Sequence, residues 1–150
     1  MKNGVIWLVV ICMVFILSWI AGSWLQKPDE VTFHPVSSLS CESGMTHCKV
    51  RFSDAALELE FVSPAIVMSP FVVKLTTKAD VAEATMQFRM KNMDMGIQQY
   101  RLANIGNGLW QSEVILPVCS LGRSDWNATL DVKYKNLWWR GDFDFEAASH

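Results

Sequence analysis

The chain has 150 residues, a formal net charge of −2 and 51% hydrophobic residues. This length accommodates one apolar N-terminal segment and one domain large enough to bury a core. The even charge balance, with 13 Lys and Arg residues and no basic stripe, argues against nucleic-acid binding.

The N-terminal segment, residues 4–25, contains no charged residue. About 20 apolar residues cross the hydrocarbon core of a bilayer as a helix, and tryptophan favours the two interfaces. Trp7, Trp19 and Trp24 are placed towards the two ends of this segment. We therefore expect residues 1–27 to be an uncleaved anchor in contact with lipid, with the rest of the chain outside. A cleaved signal peptide is the alternative, because residues 21–23 offer small side chains to a peptidase.

Residues 28–40 contain two prolines and three serines, which predicts a linker. Residues 41–150 then read as one domain of short strands. Leu57, Leu59 and Phe61 alternate with Glu58 and Glu60, so one face of this strand is apolar and the other charged. Similar strand patterns cover residues 71–77, 81–90, 97–104, 109–118, 126–134 and 137–147.

These short, evenly spaced strands predict an all-β fold, an Ig-like β-sandwich of about seven strands behind one transmembrane helix. The residues that alternation assigns to the core are Leu57, Leu59, Phe61, Phe88, Trp110, Leu130 and Val132. Met86 and Met90 share the apolar face of the strand over 81–90, and we expect both to be core filler.

Catalytic motifs are absent from the sequence. There is no G-x-S-x-G elbow, no H-E-x-x-H pair and no phosphate-binding glycine loop. No nucleophile is paired with a base, since His34, His47 and His150 are scattered along the chain. We therefore expect the protein not to be an enzyme.

Three cysteines belong to the predicted domain: Cys41, Cys48 and Cys119. An oxidising compartment favours a disulfide between two of them, and the sequence leaves the pairing open. Cys41 and Cys48 flank a short loop containing a glycine, in which case Cys119 remains as a thiol. A ligating role for a thiol beside His47 is the alternative to a structural bridge, although the spacing fits no established zinc pattern.

Four methionines lie between residues 84 and 96. Met93 and Met95 follow the predicted strand and precede Gly96, at a position that core packing explains less well. Thioethers are soft, neutral ligands that favour Cu(I) over hard cations. The pair is therefore a candidate Cu(I) site, and a third ligand is expected from His47, Met45 or Cys119.

The run "MKNMDMG…YRL…GNGLWQSEVILPVCSLGRSDW" resembles the membrane-anchored β-domains of the YtkA-like and FixH-like proteins. The resemblance covers residues 41–145 and matches Met93, Met95 and Gly96 to a Met-x-Met-Gly element. Trp110, Cys119 and Trp126 match structural positions around that element. It implies a single-pass protein of a bacterial inner membrane with its domain in the periplasm, and a partner such as a haem–copper oxidase or a Sco-type chaperone.

Two functions are consistent with the sequence. The first is a periplasmic accessory protein that binds Cu(I) through methionines to support cytochrome oxidase maturation. The second is a non-catalytic interaction module that binds an inner-membrane partner, with Met and Cys only structural. Thiol redox work through Cys41 and Cys48 ranks third, because the adjacent C-x-x-C arrangement is missing.

Overall fold

The computed structural model describes residues 2–25, 31–41, 47–93, 95–119 and 122–148 of the chain. Two compact units are present, Met1–Val31 and Thr32–His150. The first contains the helix α1 (Lys2–Leu25), whose described apolar side chains, such as Trp7, Phe15 and Trp19, are exposed. Among the described residues, no helical stretch is both long enough and apolar enough to cross a membrane.

The second unit consists of eleven described strands in two sheets. The strands are β1 (Phe33–Pro35), β2 (Ser38–Cys41), β3 (His47–Phe52), β4 (Ala55–Phe61), β5 (Phe71–Thr77), β6 (Val81–Met90), β7 (Gln98–Arg101), β8 (Ala103–Gly106), β9 (Leu109–Val114), β10 (Asp125–Tyr134) and β11 (Leu137–Glu146). The five-stranded sheet has the order β1-β11-β10-β6-β7 and the six-stranded sheet the order β2-β3-β4-β5-β9-β8. β1 runs parallel to β11, and the other described strand pairs are antiparallel.

The core lies between the two sheets, which face each other as a β-sandwich. Phe61 of the six-stranded sheet contacts Phe88, Phe143 and Phe145 of the other sheet at ring-centroid distances of 5.4 to 6.4 Å. All the residues that alternation assigns to the core are buried, as are the two methionines expected as core filler, Met86 and Met90. The prediction of an all-β sandwich with this register is therefore confirmed.

The strand count differs from the prediction in two places. β1, β2 and β3 are not among the predicted strands, and the strand predicted over 97–104 divides into β7 and β8, which together raise the count from about seven to eleven. β1, β2, β7 and β8 are edge strands of three or four residues, which pair on one side only. Segments as short as β1 and β2 carry too little alternation for recognition from sequence.

The domain also begins earlier than predicted. β1 and most of β2 lie within residues 28–40, which are predicted as a linker, and the compact unit starts at Thr32. β1 gains its order from long-range pairing, with Phe33 opposite Trp138 and Pro35 opposite Arg140. A pairing between segments so far apart in the sequence cannot be predicted from the local pattern of residues.

The loops of the sandwich are divided between two ends. We call the end formed by the described residues of 62–70, 91–97 and 115–124 the sulfur end. Backbone hydrogen bonds such as Met68 N–H to the Leu116 carbonyl, 2.8 Å, and Lys91 N–H to the Asp125 carbonyl, 3.1 Å, hold these loops together. We call the opposite end, with tight turns at residues 53–54, 78–80, 107–108 and 135–136, the turn end.

Candidate metal site

The chain leaves β6 through a tight reversal that brings two methionines back onto the sandwich. Asn92 has a left-handed φ of 56°, which asparagine tolerates better than most non-glycine residues. Met93 and Met95 follow, both half-buried and packed against the hydrophobic core. Because one residue separates them, their Cα atoms lie no more than about 7 Å apart. The two side chains therefore leave the backbone at neighbouring points of the sulfur end.

Cys119 lies in the loop that follows β9, where local hydrogen bonds hold it in place. Gly122, at a left-handed φ of 66°, donates its N–H to the Cys119 carbonyl at 3.0 Å. Upstream, Leu116 is fully buried and fixes the start of the loop against the core. The Cys119 side chain is only 3% exposed. The loop thus directs the thiol inward.

The two loops meet at a contact between sulfur atoms. Cys119 Sγ donates towards Met93 Sδ at 3.3 Å. β6 belongs to the five-stranded sheet and β9 to the six-stranded sheet, so the contact bridges the two layers of the sandwich. The structure thereby joins Met93 to Cys119, which is one of the three residues expected from the sequence as a third ligand.

The spacing of these sulfur atoms is compatible with a shared soft metal ion. Metal–sulfur bonds are about 2.3 Å long, as for zinc, so two sulfurs on one ion are separated by roughly 4 Å. The contact of 3.3 Å between Cys119 Sγ and Met93 Sδ is shorter than this separation by about 0.7 Å. A half-buried, unbranched methionine can open by that amount through a small side-chain rotation. The donor set, thiol and thioether, is one that selects soft cations.

A charged pair borders the site. Arg123 Nε donates a hydrogen bond to Asp125 Oδ1 at 2.9 Å, and the carboxylate stabilises the charged guanidinium. The pKa of Arg123 is raised first by the hydrogen bond to Asp125, and the Cys119 side chain adds a smaller electrostatic contribution in the same direction. Arg123 therefore places positive charge near the thiol. Arg123 is not among the residues that the sequence singles out, because a spacing of four residues from Cys119 within a loop does not determine whether the two side chains are close.

The other predicted ligands do not join this group. His47 begins β3 in the six-stranded sheet, and its half-buried side chain alternates with that of Cys48, which is 1% exposed. The histidine therefore lies on the outer face of the sheet, whereas Cys119 faces the core. No contact between His47 and Met93, Met95 or Cys119 is recorded among the described residues. Met45 lies outside the described residues.

The disulfide expected in the domain joins Cys41 and Cys48. These residues are directly opposite each other in the pairing of β2 with β3, with Cα atoms 4.0 Å apart. The bridge ties the edge strand β2 to the six-stranded sheet. Cys119 takes no part in this bridge, as expected if Cys41 and Cys48 pair.

Groups of three or more His, Cys, Asp and Glu side chains suited to a metal ion are absent from the described part of the chain. The candidate site differs from such groups, because two of its three donor atoms would be methionine sulfurs.

No family model and no curated protein matches the chain. Among solved structures, the chain is similar to one titled "Crystal structure of Br derivative BhCBM56", at 11% sequence identity and a TM-score of 0.44. The similarity covers 65% of this chain and 97% of that chain.

Proposed function

We propose that this protein binds Cu(I) at the sulfur end through Met93, Met95 and Cys119. In this proposal it is an accessory protein anchored by residues 1–27 in a bacterial inner membrane, with its β-sandwich in the periplasm. There it supports cytochrome oxidase maturation and exchanges copper with a haem–copper oxidase or a Sco-type chaperone. The observation that carries the proposal is the contact of 3.3 Å between Cys119 Sγ and Met93 Sδ.

The chemistry of the donors favours a cuprous ion. Thioethers are neutral and need no deprotonation, whereas the thiol of Cys119 binds as thiolate and releases its proton. One thiolate and two thioethers carry a single negative charge, so their complex with a singly charged cation is neutral. A divalent hard cation would instead require carboxylate or carbonyl oxygen, which these three side chains do not offer.

The placement of the donors suits an ion that must be passed on. Cys119 is buried, while Met93 and Met95 are half-buried and partly open to solvent. A partner can therefore approach the thioethers first, and the thiolate lies behind them. His47 is not part of this ligand set, because it lies on the outer face of the six-stranded sheet.

The test is a Cu(I) titration of the purified chain against a chromophoric Cu(I) chelator in the absence of oxygen. We expect one copper per chain for the wild type. Replacing Met93 and Met95 together by Leu keeps the apolar bulk and removes both sulfurs, and we expect it to weaken binding at least 100-fold. Such a swap usually costs less than about 1.5 kcal/mol of stability.

Met86→Leu is the matched control, because Met86 is fully buried within β6 and distant from the loop. This variant should bind copper as the wild type does. If the wild type binds no stoichiometric Cu(I), or if Met93→Leu/Met95→Leu binds it unchanged, the copper proposal is wrong. The interaction module, in which sulfur atoms only pack, would then be the better account.

A further inference from the structure

A groove of about 730 Å³ lies at the turn end of the six-stranded sheet, away from the sulfur site. Its lining includes Ala55 and Ala56 of β4 and the longer side chains of Lys49, Arg51 and Lys78. Arg51 is directly opposite Ala56 in the pairing of β3 with β4. The small side chain of Ala56 therefore leaves a depression beside the guanidinium. A volume of this size is typical of sites for small molecules.

The cations of the groove form no ion pair with any described residue. In the sandwich, the basic residues that form ion pairs are Lys74, Lys91, Arg101, Arg123, Lys133, Lys135 and Arg140. Four basic residues of the sandwich, Lys49, Arg51, Lys78 and Arg89, form no ion pair with any described residue. Three of these four line this one groove.

Two acidic residues also line the groove, and one of them is already engaged. Asp54 Oδ2 accepts a hydrogen bond of 2.9 Å from Lys135 Nζ, and Asp54 Oδ1 accepts one of 3.3 Å from the Tyr134 hydroxyl. Glu58 is opposite Lys49 in the strand pairing and forms no ion pair within the described part of the chain. With Lys135 neutralising Asp54, three cations face one carboxylate. The groove is therefore locally positive in a chain whose net charge is −2.

Fixed hydrogen bonds hold the rim that carries Lys78. Thr77 Oγ1 donates to the Ala56 carbonyl at 3.0 Å and accepts from the Ala79 N–H at 3.0 Å. Thr77 N–H donates to the Gly108 carbonyl at 2.9 Å. These bonds place Lys78 beside Ala56, across from Arg51. The cations are thus presented on a rigid backbone rather than on a long loop.

We propose that this groove binds a phosphate-bearing ligand, with Arg51 and Lys78 holding the phosphate above Ala56 and Lys49 adding a third positive charge. Arginine matches phosphate oxygens with two parallel N–H donors, and lysine contributes a compact charge. The ligand is either a small soluble phosphate compound or the phosphate of a lipid headgroup, since both present the same oxygens. The copper proposal does not depend on this site.

The test measures thermal stabilisation of the full chain in neutral detergent micelles, because a ligand of the folded state raises the melting temperature. One arm adds inorganic pyrophosphate, and the other replaces a tenth of the detergent by phosphatidylglycerol, with phosphatidylcholine as the neutral comparison. The variant is Arg51→Gln/Lys78→Gln. Arg89→Gln is the matched control, because Arg89 lies on β6 of the other sheet and also forms no ion pair with a described residue.

We expect stabilisation in at least one arm, at least a tenfold loss of apparent affinity in Arg51→Gln/Lys78→Gln, and no change in Arg89→Gln. Stabilisation by pyrophosphate assigns a soluble ligand, and stabilisation by phosphatidylglycerol alone assigns a headgroup. The proposal is overturned if neither probe stabilises the wild type, or if Arg89→Gln loses as much affinity as the groove variant.

Discussion

The two ends of the sandwich are built on different principles. At the turn end, short connections reverse the chain and left-handed residues recur, among them Ser53, Asn107, Lys135 and Asn136. Hydrogen bonds hold these turns in place; for example, Lys135 Nζ donates to Asp54 Oδ2 at 2.9 Å. At the sulfur end, the connections are longer, and the loops that follow β6 and β9 meet through the contact of Met93 with Cys119.

This difference shows where the fold leaves room for chemistry. A tight turn has a single backbone path, so its residues are chosen for conformation. A longer loop contacts the core through only a few side chains, so those positions can carry residues that bind a ligand. The sulfur end therefore carries the candidate metal site, while the turn end offers binding only on the outer sheet face beside its turns.

The strongest test of this contrast compares two glycines with similar backbone conformations. Gly108 at the turn end has a φ of 73°, and an added Cβ would come within 1.9 Å of the Thr77 carbonyl oxygen. Gly96 at the sulfur end has a φ of 75°, and an added Cβ would meet nothing within 4 Å. Gly96→Ala should cost only the left-handed penalty, about 1–2 kcal/mol. Gly108→Ala adds a backbone clash and should cost at least about 3 kcal/mol.

Urea unfolding followed by tryptophan fluorescence measures both losses in the same assay. Equal losses in the two variants would contradict the contrast, because they would mean that the sulfur-end loop is as tightly constrained as the turn.

The disulfide offers a test of intermediate size. Replacing Cys41 and Cys48 together by Ala opens a loop with a sequence separation of 7 residues. The chain-entropy model assigns a closure of this length about 2–3 kcal/mol. Dithiothreitol should lower the stability of the wild type by a similar amount and leave the double variant unchanged. A further loss in the double variant on reduction would show that Cys119 is engaged in another bond.

The smallest expected effect concerns the carboxylate at the turn end. The pKa of Asp54 is lowered from 3.8 to about 2, first of all by the hydrogen bond from Lys135. A lowered pKa in the folded state means that this carboxylate stabilises the fold above its unfolded pKa. That contribution is lost as the pH falls from near 3.8 through about 2.

Asp54→Asn should therefore flatten the acid limb of the stability profile between pH 4 and pH 2 and change little at lower pH. Thermal unfolding measured across this range checks the slope, with Asp80→Asn as an exposed comparison in a neighbouring turn. An unchanged slope in Asp54→Asn would show that the pair with Lys135 contributes nothing measurable, as is common for exposed ion pairs.

The central strands follow from the sequence because their signal is local. Leu57, Leu59 and Phe61 alternate with charged residues, and the period of two determines which side chains enter the core. The burial of Met86 and Met90 follows from the same rule. The edge strands β1 and β2 do not follow from it, since β1 is held by register with Trp138 and its neighbours, over 100 residues away.

The candidate site shows the same limit. Sequence alone identified an all-β domain, the pair Met93 and Met95, and a set of three possible partners for them. Only the tertiary structure decided that Cys119 contacts Met93, because residues separated by 26 positions meet only when the two sheets stack. It also decided that His47 points to the outer face, and that Lys49, Arg51 and Lys78 share a groove. Alternation fixes which face of a strand a residue occupies, whereas the loops and strands that become neighbours depend on how the sheets are ordered and packed.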